Sequence, residues 1–156
     1  MLTRQPLTRQ ARSGDDRSTS RVVVGVDGSA GSKRALRWAA DYAASTGAEL
    51  HAVTAWTMPM TVGWAFRPSP EGVPERHAAK VLESTIDEVF GSERPARLRE
   101  TIVGAHPAAA LLEAARDADL LVVGSRGHGG FAATMLGSVG SQCSRHAPCP
   151  VAIIRD

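Results

Sequence analysis

The chain is short of cysteine, aromatic residues and long apolar runs, and each shortage closes off a class of function. Its two cysteines, Cys143 and Cys149, do not form a C-x-x-C pair, so they read as ordinary buried thiols of a cytosolic protein. The five histidines show neither H-x-x-x-H nor a mixed Cys/His spacing, and no zinc site is expected. No run of roughly 18 apolar residues could cross a membrane, and the N-terminus lacks the apolar segment of a secretory signal. The expected location is the cytoplasm. With three Trp, three Phe and one Tyr, and a net charge of +2, the chain has no basic stripe with interleaved aromatics. Nucleic acid is therefore not an expected partner. No Gly-Lys pair occurs anywhere, which excludes the phosphate loop G-x-x-x-x-G-K-[ST].

What remains is a composition that can bury one core: 156 residues, 43% hydrophobic and 22% charged, a length that argues for one domain. Residues 1–20 hold Arg4, Arg9, Arg12 and Arg17 against Asp15 and Asp16, and the rest of the chain balances to zero. This stretch has no periodicity and too little apolar surface to offset ordering, so it reads as a disordered tail. An Arg-rich leader can also mimic an organelle transit peptide, but no clear amphipathic helix supports that.

From Arg21 the pattern alternates. "RVVVGVD" is a β-branched run without alternation, as expected of a strand covered on both faces. Ser32 is expected to cap a helix running to about Thr46, with Leu36, Ala39, Ala40 and Ala43 on one face and Gly47 as the stop. "AELHAVTAW" is the second strand. Thr57 to Pro74 carries four prolines and reads as a long mobile loop. Pro74 opens a helix to about Phe90 whose buried stripe is Ala78, Val81, Leu82, Thr85, Ile86 and Val89. "ARLRETIV" is a more polar strand, suited to an edge. "AAALLEAARD" is a short helix, "DLLVVG" a fourth strand, Ser138 to Arg145 a helix, and "CPVAIIRD" the fifth strand. Alternation of this kind predicts a single doubly wound α/β domain, residues 21–156, with a five-stranded parallel sheet and four helices on both faces. A ligand then sits outside the carboxyl ends of the strands, where strand order reverses.

The stretch "VVGSRGHGGFAATMLGSVGS" leaves the fourth strand at that edge. A dinucleotide fingerprint would need G-x-G-x-x-G in the first strand-helix unit, but Gly25, Gly28 and Gly31 are spaced three and three. The stretch does present Gly124-Ser125-Arg126-Gly127, nine residues, then Gly137-Ser138 at a helix start. Glycines let backbone N–H groups approach an anion closely, and a helix N-terminus adds free donors and positive potential. Phosphate or another anion is the expected ligand, against the alternative of a tight turn for chain reversal.

At these residues the sequence resembles the universal stress protein family, in its ATP-binding branch, whose motif is G-x-x-G, nine residues, then G-[ST]; Gly124, Gly127, Gly137 and Ser138 match it. The resemblance extends over "VVVGVDGS", "GAHPAAALLEAARDADLLVVGSRGHGG" and "CPVAII". It implies an adenine nucleotide alpha hydrolase-like sheet and a homodimer through the last strand. It implies ATP with Mg²⁺, Asp27 on the ribose or adenine side, Gly25 and Val26 lining the base, and a backbone contact from Val53. Val123, Gly124, Arg126 and Gly127 would form the near wall, and Gly137, Ser138, Val139 and Gly140 would hold the triphosphate. Asp27 can alternatively cap the turn "DGS", Arg126 can be a surface residue, and His106 and His128 read as helix-cap or loop residues. The implied function is a nucleotide-dependent stress regulator with slow or no hydrolysis and no catalytic residue. The alternatives are a slow ATPase or adenylating enzyme, for which "VDGSAGS" has the wrong serine-glycine order, and a nucleotide-free interaction module.

Overall fold

A computed structural model describes residues 19–58, 72–128 and 135–156. The expected tail up to residue 18, most of the proline-rich loop (59–71) and part of the glycine stretch (129–134) lie outside the described residues. Five strands, β1 (Arg21–Gly25), β2 (Glu49–Trp56), β3 (Leu98–Gly104), β4 (Leu120–Gly124) and β5 (Val151–Ile154), alternate with helices α1 (Ala30–Thr46), α2 (Val73–Phe90), α3 (Pro107–Ala114) and α4 (Ser138–His146). Every neighbouring pair is parallel, in the order β3-β2-β1-β4-β5.

The apolar run of β1 is explained by its place at the centre. Val22 and Val24 join a core with Leu36 of α1 and Leu82 and Ile86 of α2, while Val23 joins a second core with Leu111 of α3 and Cys143 of α4. The chain therefore winds outward from β1 to β3 with α1 and α2 on one face. It then returns to β4 and β5 with α3 and α4 on the other, since right-handed crossovers in opposite directions place their helices on opposite faces. Strand order reverses between β1 and β4. The polar β3 occupies one edge, with Arg99 and Glu100 exposed, and β5 the other.

The cap of α1 corrects the sequence reading. Ser29, not Ser32, is the N-cap, and its Oγ accepts from the Ser32 N–H at 3.2 Å. Asp27 Oδ1 accepts from the Ser29 N–H at 2.9 Å, a local turn that puts Ser29 where the first free helix donors are. Ser32 lies one turn inside, buried, with its Oγ donating to Ser29 O at 3.0 Å and accepting from Asp27 N at 3.3 Å. Gly47 ends α1 in the left-handed conformation, φ 72°, with its N–H on Ala43 O. In α2 the stripe is buried as expected except for Val81, which is half-buried on the flank beside Gly28.

Candidate functional site

β1 and β4 end side by side at the point of reversal, and each ends in glycine. The chain after β4 folds back so that the Gly137 N–H donates to Ser125 O at 2.8 Å, which fixes the start of α4 beneath the β4 turn. Between these segments lies a cavity of about 440 Å³. Its lining combines apolar side chains, Val53 and Ala55 of β2 with Pro107 and Leu111 of α3, with glycines and the first turn of α4.

All the candidate residues meet there. Gly25, Val26 and Asp27 follow β1, Val53 comes from β2, Val123, Gly124, Arg126 and Gly127 run through the end of β4, and Gly137, Ser138, Val139 and Gly140 open α4. Val53 O already accepts from the Val26 N–H at 2.9 Å, leaving its second lone pair. Sequence reasoning missed Ser29, Ser32, Ala55, Pro107, Leu111, Met135 and Leu136 as lining residues. Pro107 and Leu111, four apart on α3, carried a readable signal as one apolar helix face. His128, read as a loop residue, lines the cavity too. Its Nε2–H donates to Asp27 O at 2.5 Å, joining the β4 turn to the β1 turn. His106 is the N-cap of α3 through its backbone position, with no side-chain bond to the helix.

The two helix N-termini at the cavity differ. α1 is closed by Ser29, and a Cβ on its Gly31 would stand 2.7 Å from Arg126 O. α4 has no side-chain cap. Its first internal bond is from Ser141 N–H to Gly137 O, and among the described residues no acceptor meets the N–H groups of Ser138, Val139 or Gly140. Such open donors carry the positive end of the helix dipole toward the cavity.

The motif glycines separate by cause. A Cβ on Gly124 would lie 2.8 Å from the backbone carbon of Gly31, so the fold itself excludes a side chain there, whereas one on Gly127 would lie 2.9 Å from Asp27 Oδ2, the end of a side chain that lines the cavity. A Cβ on Gly137 would meet nothing closer than 3.5 Å, and its φ of −62° suits any residue. Among the described residues nothing in the packing requires glycine at 137.

Three ionisable residues are among the described lining residues, and each makes at least one bond within the protein. Asp27 holds its turn, His128 holds Asp27 O, and Arg126 pairs with Asp156, whose other oxygen pairs with Arg34 of α1. Away from the cavity, burial and the nearby Arg99 and Arg21 push the His51 pKa below its usual 6.5. Burial pushes the Cys143 and Cys149 thiols up, which keeps them protonated and unreactive.

The sequence profile described as the universal stress protein family matches residues 19–155. The chain belongs to the universal stress protein family. Universal stress protein Rv2005c of Mycobacterium tuberculosis is 36% identical over 141 residues, which cover 85% of this chain and 47% of that protein. Universal stress protein Rv2623 of the same species is 34% identical over 141 residues, covering 86% and 47%. The chain thus spans about half the length of the curated universal stress proteins it matches. Among solved structures, a universal stress protein in complex with cAMP superposes with a TM-score of 0.65 at 31% identity, covering 88% of this chain and 97% of that one. Universal stress protein UspA from Lactobacillus plantarum superposes with a TM-score of 0.68 at 23% identity, covering 87% and 97%. That second likeness carries the fold alone. No helix among the described residues is long and apolar enough to cross a membrane.

Proposed function

We propose that this universal stress protein binds an adenine nucleotide, ATP in the first place, and acts in the cytoplasm as a nucleotide-dependent regulator. The observation that carries the reading is the uncapped N-terminus of α4. It has three backbone donors without acceptors among the described residues, beside a glycine whose missing side chain the packing of those residues does not explain. A polyphosphate satisfies both features, and the apolar wall of Val53, Ala55 and Leu111 suits a purine. Asp27 Oδ2 faces Gly127 at the nucleoside end, in reach of a ribose hydroxyl in this reading. Among the described residues no group of three His, Cys, Asp or Glu side chains could hold a metal. Mg²⁺ would therefore enter as the counter-ion of the triphosphate.

Hydrolysis is expected to be slow, on the order of one turnover per minute or less, because Asp27, the one carboxylate among the described lining residues, is assigned to the ribose in this reading. The adenylating alternative is weakened by α1, whose N-terminus is capped by its own serine and covered by the β4 turn. A second reading, cAMP as the physiological ligand, is favoured by the similar universal stress protein solved with cAMP. β5 is an edge strand whose residues are half-buried, so a symmetric homodimer formed along it belongs to the proposal. Heat release of bound nucleotide from the purified protein, identified by chromatography, tests the reading. Titration with ATP, cAMP and adenosine then ranks the ligands, and a protein that neither carries nor takes up an adenine nucleotide would leave the interaction-module alternative standing.

A further inference from the structure

Arg126 is the one side chain of fixed positive charge among the described residues that line the cavity. Its main chain has no freedom to move, because the Arg126 carbonyl is packed against Gly31 of α1, where a Cβ would stand 2.7 Å away. Only its guanidinium can choose a partner. The ladder between β4 and β5 settles what is nearby. Gly124 pairs with Ile154, and the Ser125 N–H donates to Ile154 O at 2.9 Å. Asp156, two residues beyond, is thereby brought alongside Arg126, one residue beyond Ser125. Its Oδ2 takes Arg126 and its Oδ1 takes Arg34, so one carboxylate that does not itself line the cavity bridges two guanidinium groups, one of them from a lining residue. The other ion pairs of the described residues, such as Lys33 with Glu88 or Arg94 with Asp87 and Glu100, involve no lining residue.

We infer that Asp156 sets the charge specificity of the nucleotide site, by occupying Arg126 and holding a negative charge beside the one lining guanidinium. The inference rests on the nucleotide-binding reading above. A carboxylate between two arginines shows that the pair accepts a bridging oxyanion, and a phosphate offers the same geometry with more charge. The phosphate must therefore displace Asp156 or share Arg126 with it. In either case the Asp156 charge opposes binding in proportion to the ligand's own charge, so it penalises ATP more than cAMP and leaves adenosine untouched. Asp156 is a positioning residue for Arg126. It selects among nucleotides without touching the base.

Calorimetric titration of ATP, cAMP and adenosine into the wild type, Asp156→Asn, Arg126→Gln and the double variant tests this. Asn keeps the shape and removes the charge. Asp156→Asn is expected to bind ATP about three- to tenfold more tightly, the scale of one partly screened charge near a polyanion. The gain for cAMP should be smaller, and that for adenosine absent. In the Arg126→Gln background the gain should shrink, which a purely structural role of Asp156 would not produce. Equal ATP affinity in wild type and Asp156→Asn, or weaker binding in the variant, would overturn the inference while leaving the nucleotide reading intact. A wild type that binds neither ATP nor adenosine would sink both.

Discussion

Exchanging Gly124 and Gly137 for alanine, one at a time, should separate a glycine that the fold needs from one that the ligand needs. At 124 the new Cβ would stand 2.8 Å from Gly31 C and 2.9 Å from Gly31 O, both backbone atoms that cannot rotate away. Overpacking of this kind costs about 1–3 kcal/mol, and with roughly 2–4 °C lost per kcal/mol in a domain of this size the melting temperature should fall by about 2–12 °C. At 137 the backbone angle is ordinary and the nearest atoms, Arg126 Cα and Ser125 O, lie 3.5 Å off. The weaker capping by alanine costs a few tenths of a kcal/mol to about 1 kcal/mol, and the stiffer unfolded chain returns about 0.4–1 kcal/mol. Stability should stay within about 0.5 kcal/mol of wild type. The methyl would nevertheless stand 3.7 Å from Gly127 N, in the space between the β4 turn and the first turn of α4. Loss of one charge-assisted bond there, worth about 1.5–3 kcal/mol, predicts ATP binding weaker by about 10- to 100-fold. Thermal unfolding followed by circular dichroism reads the first effect, and calorimetric titration the second. If Gly137→Ala binds ATP like the wild type, or melts as low as Gly124→Ala, the assignment of Gly137 to the ligand is wrong.

Ser138→Ala should weaken ATP binding by about 1.5–3 kcal/mol in the same titration, and Gly127→Val, whose Cβ would meet Asp27 Oδ2 at 2.9 Å, should abolish it while helical circular dichroism persists. Ala152→Pro removes a donor from the edge strand β5 and should shift the protein to monomer in light scattering; a persistent dimer would place the contact on another surface. His51 is buried with its pKa lowered, so between that value and 6.5 the unfolded chain binds the extra proton. Its penalty on folding is therefore absent above about pH 6.5 and grows as the pH falls below it. Urea titrations from pH 7.5 to 5 should show this loss of stability, reduced in His51→Gln.

Much of the site could be read before the fold because strand ends, turns and helix starts are local features. The β-branched run ending at Gly25, the glycines after Val123 and the helix start at Ser138 each announce a chain end pointing the same way. Parallel winding alone then gathers them, and polarity correctly put β3 at an edge. The cap of α1 was misplaced because Ser29 and Ser32 both have the right chemistry, and the choice depends on an Asp27 turn visible only in the backbone. Long-range side-chain partners left no trace. His128 meets Asp27 across 101 residues and Arg126 meets Asp156 across 30, and neither pairing follows from spacing or periodicity. They follow from which strands neighbour each other and in what register.

If the cavity takes a nucleotide as proposed, the same partners favour binding over chemistry. A hydrolase needs a carboxylate or imidazole with a lone pair directed at water, and a cation free to follow charge as it develops. Here the imidazole Nε2 is committed as a donor to Asp27 O, which leaves Nδ1 alone with a lone pair, and the Asp27 carboxylate holds Ser29 N–H through Oδ1, its Oδ2 being given to the ribose in the proposed reading. The Arg126 guanidinium is neutralised by Asp156. The donors without an acceptor among the described residues are backbone N–H groups at the head of α4, which cannot take up a proton. They can hold phosphate oxygens tightly in the ground state without favouring departure of the terminal one, and uniform binding of that kind lowers Kd without raising a rate. In the proposed reading a site so arranged would report nucleotide supply through occupancy, and the Ser125 N–H bond to Ile154 O ties the edge strand β5 to the residue between the lining Gly124 and Arg126.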